Sequence, residues 1–138
     1  MMTRVLCRAR RKNWKKIAKE EWYVEGFIWE SAGGAFIIPD GYGICYDYRT
    51  EVMTAKAIEI DKNTISQYTD LNDKNKKMIY ENDVVKTKSG ITGRVVWHSD
   101  SAAFCLLPDN DEDEFLLLSY WVNEDEIEVI GNVLDNPV

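Results

Sequence analysis

The chain has 138 residues, 45% of them hydrophobic, with 5 Trp, 7 Tyr and 4 Phe, and its 17 Lys and Arg against 24 Asp and Glu leave a net charge of −7. That much apolar and aromatic surface excludes a disordered chain, and a domain of this length buries about two-thirds of its unfolded surface without staples. Three scattered cysteines, Cys7, Cys45 and Cys105, argue against a secreted disulfide framework, and neither a signal peptide nor an apolar run of membrane-spanning length is visible, so a cytoplasmic protein in a reducing compartment is expected.

Turn signals recur at short intervals between alternating apolar segments, the pattern of a β protein with short strands. Residues 3–9 read as the first strand. In the basic stretch that follows, Trp14, Ile17 and Ala18 have helical spacing, which predicts at best a short amphipathic helix within residues 11–20. Residues 22–29 form an aromatic, β-branched strand in which Gly26 marks a bulge or a close approach, and residues 31–34 break it. A short strand over 36–38 runs into the turn Pro39-Asp40-Gly41, and residues 44–48 and 55–60 are further strands.

Residues 70–77 carry two Asn, two Asp and three Lys and predict a surface loop. Beyond it, residues 83–87, 92–98 and 102–107 read as strands, with Lys88-Ser89-Gly90 turning the first into the second. Residues 115–122 are the most apolar strand candidate, and residues 127–133 start with Ile127 and Val129 inward and Glu126 and Glu128 outward. The expected fold class is mainly β: a short-stranded meander with a C-terminal SH3-like, partly open β-barrel and at most one or two short helices. It forms one domain over residues 1–138, divisible into an N-terminal β region, 1–69, and a barrel-like region, 70–138.

Charge is segregated along the chain. All 17 basic residues lie at or before Arg94 with thirteen of the acids, a balance of +4, and the remaining eleven acids follow with no Lys or Arg, a balance of −11. Opposite fields at the two ends predict that they approach each other, within one chain or between subunits.

Several sites fail on spacing. Cys7, Cys45, Cys105 and His98 are ligand types for zinc, but no Cys-x-x-Cys pair exists, and isolated strand cysteines are usually small buried hydrophobes. Residues 109–114 open like a calcium loop, yet Glu114 replaces the required glycine and Tyr120 the closing glutamate. His98, the sole histidine, has no nucleophile motif beside it, and Gly33-Gly34 lacks the phosphate-loop patterns. No metal, no other cofactor, no catalytic residue and no enzymatic activity are expected.

A string recognisable as a whole runs from Thr64 to Val85: Thr64-Ile65-Ser66-Gln67-Tyr68-Thr69-Asp70-Leu71, then Asp73-Lys74-Asn75, then Ile79-Tyr80-Glu81-Asn82-Asp83-Val84-Val85. With Trp22-Tyr23-Val24-Glu25-Gly26-Phe27-Ile28 before it and Val129-Ile130-Gly131-Asn132-Val133-Leu134-Asp135-Asn136-Pro137 after it, the chain resembles the YopX family of bacteriophage and prophage proteins. The resemblance implies an intracellular phage protein of undetermined activity. It singles out Trp22, Glu25, Gly26, Gln67, Tyr68, Asp73, Tyr80, Glu81, Asp83, Gly131, Asn132, Asn136 and Pro137 as mostly structural motif residues, with Tyr80 a packing anchor. Lys76 and Asn82 stand where the family has glycine. Asn82 adopts a left-handed conformation at modest cost and Lys76 less readily, which predicts an altered turn at 73–77.

The function expected is that of a phage-encoded accessory protein acting through protein–protein contacts, with Trp14, Trp22 or Trp29 as aromatic anchors, as a homo-oligomer or with a phage or host protein. The alternative is a weak, non-specific nucleic-acid module in which Arg8, Arg10, Arg11, Lys12, Lys15 and Lys16 hold phosphates. Neither reading involves a membrane.

Overall fold

The computed structural model describes residues 5–39, 44–111, 114–124 and 126–135, with the side chains of 44–46, 52–55 and 124 outside the description. It is mainly β, as the alternation predicts, and it divides into two compact units, Met1–Gln67 and Tyr68–Val138.

The first unit contains β1 (Cys7–Arg10), β2 (Tyr23–Ser31), β3 (Gly34–Pro39), β4 (Ile44–Asp47), β5 (Val52–Ala55), β6 (Ile58–Glu59) and the start of β7 (Ser66–Asn72). Its antiparallel strands lie in the order β6-β3-β2-β1-β7, and β4 and β5 form a separate hairpin. The period of two puts Cys7 and Ala9, Val24 and Ile28, and Ala35 and Ile37 on one face, where Ile60 completes a buried core. Gly26 stands opposite Pro39, and any β-carbon on it would collide with the Ile38 carbonyl oxygen, so the close approach expected there is real.

The short helix expected over residues 11–20 is replaced by two 3-10 turns, Trp14–Lys16 and Lys19–Glu21. Ile17 and Ala18 between them are extended, and a stretch this short gains too few hydrogen bonds to offset helix nucleation. The predicted turn Pro39-Asp40-Gly41 lies largely outside the described residues.

The surface loop expected over residues 70–77 is shorter than predicted, because β7 runs to Asn72. Its first residues pair with β1, and Tyr68 and Asn72 pair with β8 (Met78–Tyr80) across a register shift, with Asp70 at φ 65°.

The second unit continues with β9 (Asp83–Lys86), β10 (Thr92–His98), β11 (Ala103–Pro108), β12 (Leu116–Leu117), helix α1 (Leu118–Glu124) and β13 (Glu128–Asn132). Strands β9 to β12 meander and β13 returns beside β9, giving the order β12-β11-β10-β9-β13 in an open sheet, in keeping with a partly open barrel. Ile79, Val85, Val95, Leu106, Leu118 and Ile127 form its core.

The strand predicted over residues 115–122 is corrected here, since only Leu116–Leu117 is strand and residues 118–122 belong to α1. A run this rich in apolar residues, interrupted only by Ser119, carries no period-two alternation to tell strand from buried helix. The deciding spacing is Leu118, Trp121 and Val122, which puts three apolar side chains against the core from one helix face. Among the described residues, no helix is long and apolar enough to cross a membrane.

Candidate functional site

The family-motif residues fall into turns and strand pairs within each unit. Asp73, placed by its sequence in a surface loop, is only 7% exposed. Its Oδ1 accepts the backbone N–H groups of Asn75 and Lys77, both at 2.8 Å, and its Oδ2 accepts Val129 N–H at 3.0 Å. A polar loop has thus turned its carboxylate inward to satisfy three amides, one of them 56 residues away.

Asp83 works the same way. Its Oδ2 accepts Tyr80 N–H at 2.8 Å, its Oδ1 accepts the Asn132 amide at 2.9 Å, and Asn132 Oδ1 accepts Leu134 N–H at 2.8 Å. Asn82, at φ 70°, donates to the Val95 carbonyl and accepts Val133 N–H, and Lys76 takes φ 67°. Lys76 therefore adopts the left-handed conformation that glycine takes most readily.

Tyr80 is buried with its ring 5.6 Å from that of Tyr68, and Glu81 sits half-buried in the adjoining turn. Gly131 follows a register shift in β13 and has open space where a β-carbon would go. In the first unit Glu25 lies opposite Arg8, Gln67 lies opposite Cys7, and Trp22 donates its indole N–H to the Ile17 carbonyl at 3.2 Å. Asn136 and Pro137 lie outside the described residues.

The six cations read as one patch are put to different uses. Arg10 is only 6% exposed, its guanidinium 4.0 Å over the Trp14 ring and 5.9 Å from that of Trp22, and the two indoles meet edge to face at 4.9 Å. Its availability to a phosphate backbone is therefore corrected: strand alternation turns Arg10 away from the apolar core, and the returning 3-10 turn roofs it with Trp14. Arg11 donates from Nε to the Glu21 carbonyl at 3.0 Å, Arg8 lies 5.2 Å over the Tyr23 ring, and Lys12 pairs with Glu59 at 3.0 Å. Lys15 and Lys16 remain exposed.

These exposed lysines border a shallow groove of about 550 Å³. Lys12, Asn13, Trp14, Lys15 and Lys16 form one wall, and Gly34, Ala35, Ile60, Asp61 and Lys62 the other. Backbone pairing builds it, since Lys12 N–H donates to the Glu59 carbonyl, Asp61 N–H donates to the Arg10 carbonyl, and Arg11 bridges to Ile60. Lys62 and Asp61 carry no local signal of this role; only the tertiary pairing brings them to residues 10–13.

Cys7 and Cys105 are buried thiols, and burial pushes the Cys105 thiol above its ordinary pKa. Among the described residues, no group of three His, Cys, Asp or Glu side chains stands together as a metal site. Chemically, the groove offers ammonium groups and an indole wall to an anionic partner.

The family model described as YopX protein matches residues 12–138 of the chain. No curated protein and no solved structure matches it.

Proposed function

Because the chain belongs to the YopX family, we propose that it is a phage- or prophage-encoded accessory protein of the bacterial cytoplasm that binds an acidic protein segment in the lysine-rimmed groove of its first unit. The observation that carries this reading is the convergence of Lys12, Lys15, Lys16 and Lys62 around Trp14 in one groove. Ammonium groups flanking an indole suit a carboxylate-bearing chain with an apolar anchor. No catalytic role is proposed.

A protein segment is favoured over nucleic acid on two grounds. Arg10 is buried, and Trp14 gives one ring face to Arg10 and meets Trp22 edge to face, leaving a poor platform for stacking successive bases. Weak, non-specific nucleic-acid binding is the second reading. Engagement of about four phosphates by Lys12, Lys15, Lys16 and Lys62 would give a log-log salt slope of roughly −3.6 on duplex DNA. The opposite balances of the two halves also favour self-association, which light scattering at low salt would register as a mass that falls when salt is added.

The test is calorimetric titration with a glutamate decapeptide and with an oligothymidylate of equal length, on wild type and on Lys15→Glu/Lys16→Glu/Lys62→Glu. Decapeptide binding at least tenfold weaker in the variant supports the reading. Oligothymidylate binding that is the tighter of the two, or decapeptide binding unmoved by the variant, overturns it.

A further inference from the structure

Each copy of the chain carries both halves of an electrostatic contact. The groove of the first unit offers Lys15, Lys16 and Lys62, all exposed. Its fourth lysine, Lys12, is matched by Glu59 at 3.0 Å, and the one carboxylate in its walls, Asp61, accepts Asn63 N–H at 3.1 Å. Three ammonium groups thus stand against a single carboxylate already engaged with backbone, which leaves the groove with a positive potential.

The complement lies in the second unit, in the connection between β11 and β12. Residues 109–114 read Asp-Asn-Asp-Glu-Asp-Glu, five acids in six positions and the densest acidic run in the chain. Like charges this close repel one another, and a cationic surface relieves that repulsion. Asp109, Asp111 and Glu114 are exposed.

Both ends of this loop are anchored. At its start, Asp109 N–H donates to the Thr92 carbonyl at 3.0 Å, and Asp109 Oδ2 accepts the Thr92 hydroxyl at 2.9 Å. At its close, Phe115 stacks on His98 at 3.9 Å and 15°, and the Ser101 hydroxyl is bonded to His98 Nδ1 at 2.7 Å. Carboxylates on a loop tied down at both ends lose less conformational entropy on docking than those of an untethered peptide.

We infer that the protein self-associates head to tail, with the acidic loop at 109–114 of one copy docked in the lysine-rimmed groove of the next. The inference rests on the groove's preference for an acidic segment, and it names that segment. Every copy supplies one groove and one loop, so the partner is present at the protein's own concentration. The two surfaces differ, which makes the contact heterologous, and such contacts close into a ring or continue as a filament. Exposed ion pairs are individually weak and are screened by salt, so the assembly forms at low ionic strength and high protein concentration and disperses when salt is added.

Analytical ultracentrifugation of the full chain at low salt tests this against two variants, Lys15→Glu/Lys16→Glu/Lys62→Glu in the groove and Asp111→Asn/Glu112→Gln/Asp113→Asn/Glu114→Gln in the loop. Wild type should exceed the monomer mass, and each variant alone should sediment as a monomer. Mixed in equal amounts, the two variants should form a pair of twice the monomer mass and nothing larger, because one intact loop and one intact groove remain between them; misfolded variants could not give this gain. Glu124→Gln/Asp125→Asn/Glu126→Gln, which removes three acids from a second acidic run, should assemble like wild type. A monomeric wild type, assembly that survives in the loop variant, a mixture that stays monomeric, or a wild-type mass that high salt leaves in place or nuclease disperses overturns the inference. A glutamate decapeptide titrated into the loop variant, whose groove is open, tests the groove by itself. Binding there beside a monomeric wild type removes the self-association and leaves the proposed function standing, whereas no binding beside a monomeric wild type removes both.

Discussion

Asp83 and Asn132, 49 residues apart in sequence, meet in a buried hydrogen bond of 2.9 Å that joins the first and last strands of the second unit's sheet. Asp83 also holds Tyr80 N–H, so one carboxylate fixes both the turn into β9 and the return of β13. Removing this acceptor strands two donors, and Asp83→Ala is expected to lower the unfolding free energy by roughly 2–4 kcal/mol, with Asn132→Ala lowering it by about 1–2 kcal/mol. Denaturant titration of both single variants and the double variant measures this. Strictly additive losses would show that the bond contributes nothing beyond its two ends.

Two glycines of the family motif should respond in opposite ways. Gly26→Ala drives a methyl into the Ile38 carbonyl and should cost about 1–3 kcal/mol or more, whereas Gly131→Ala meets open space and should stay within about 0.5 kcal/mol of wild type. Thermal melts of the two variants side by side decide the matter, and equal effects would contradict the packing described.

Lys76→Gly should stabilise the protein. A left-handed non-glycine residue costs roughly 1–2 kcal/mol and glycine gives back about 0.5–1 kcal/mol in backbone entropy, leaving a gain of about 0.5–1 kcal/mol. Asn82→Gly should be nearly neutral, because asparagine tolerates the left-handed region. A lower unfolding midpoint for Lys76→Gly would mean that the turn at 73–77 is not as described.

Arg10 and Lys15 should separate structural from surface cations. Arg10→Ala removes a buried cation from the face of Trp14 and should lower stability by roughly 1–3 kcal/mol, while Lys15→Ala should stay within about 0.5 kcal/mol. Melting both variants at low and high salt distinguishes them, since loss of a buried stack persists at high salt whereas a surface charge effect fades.

The buried Cys7 and Cys105 thiols should resist modification in the native state. A thiol whose pKa is raised holds less thiolate at pH 8 than an ordinary one, so Cys105 should label with an aromatic disulfide reagent only on unfolding. Full labelling at both positions within seconds in buffer would contradict their burial.

By itself, the sequence determined the β character and the strands over 83–87, 92–98 and 102–107, because period-two alternation and Gly or Pro turns are local signals that survive into the fold. It also singled out Gly26 as a bulge or a close approach, and the nearness of the Ile38 carbonyl makes it the close approach. Three things were decided only by tertiary structure, each because the partner is distant in sequence. The apolar run at 115–122 became mostly helix once Leu118, Trp121 and Val122 had a core to face. Asp73 left its predicted place at the surface because Val129 N–H, 56 residues on, needed an acceptor. Lys62 became a groove residue because backbone pairing lays residues 59–61 against residues 10–12, and Arg10 became an interior cation because the chain returns to put Trp14 and Trp22 over it. A local pattern says which residues alternate or turn, but burial of a charged group depends on which amides and rings the fold brings to it.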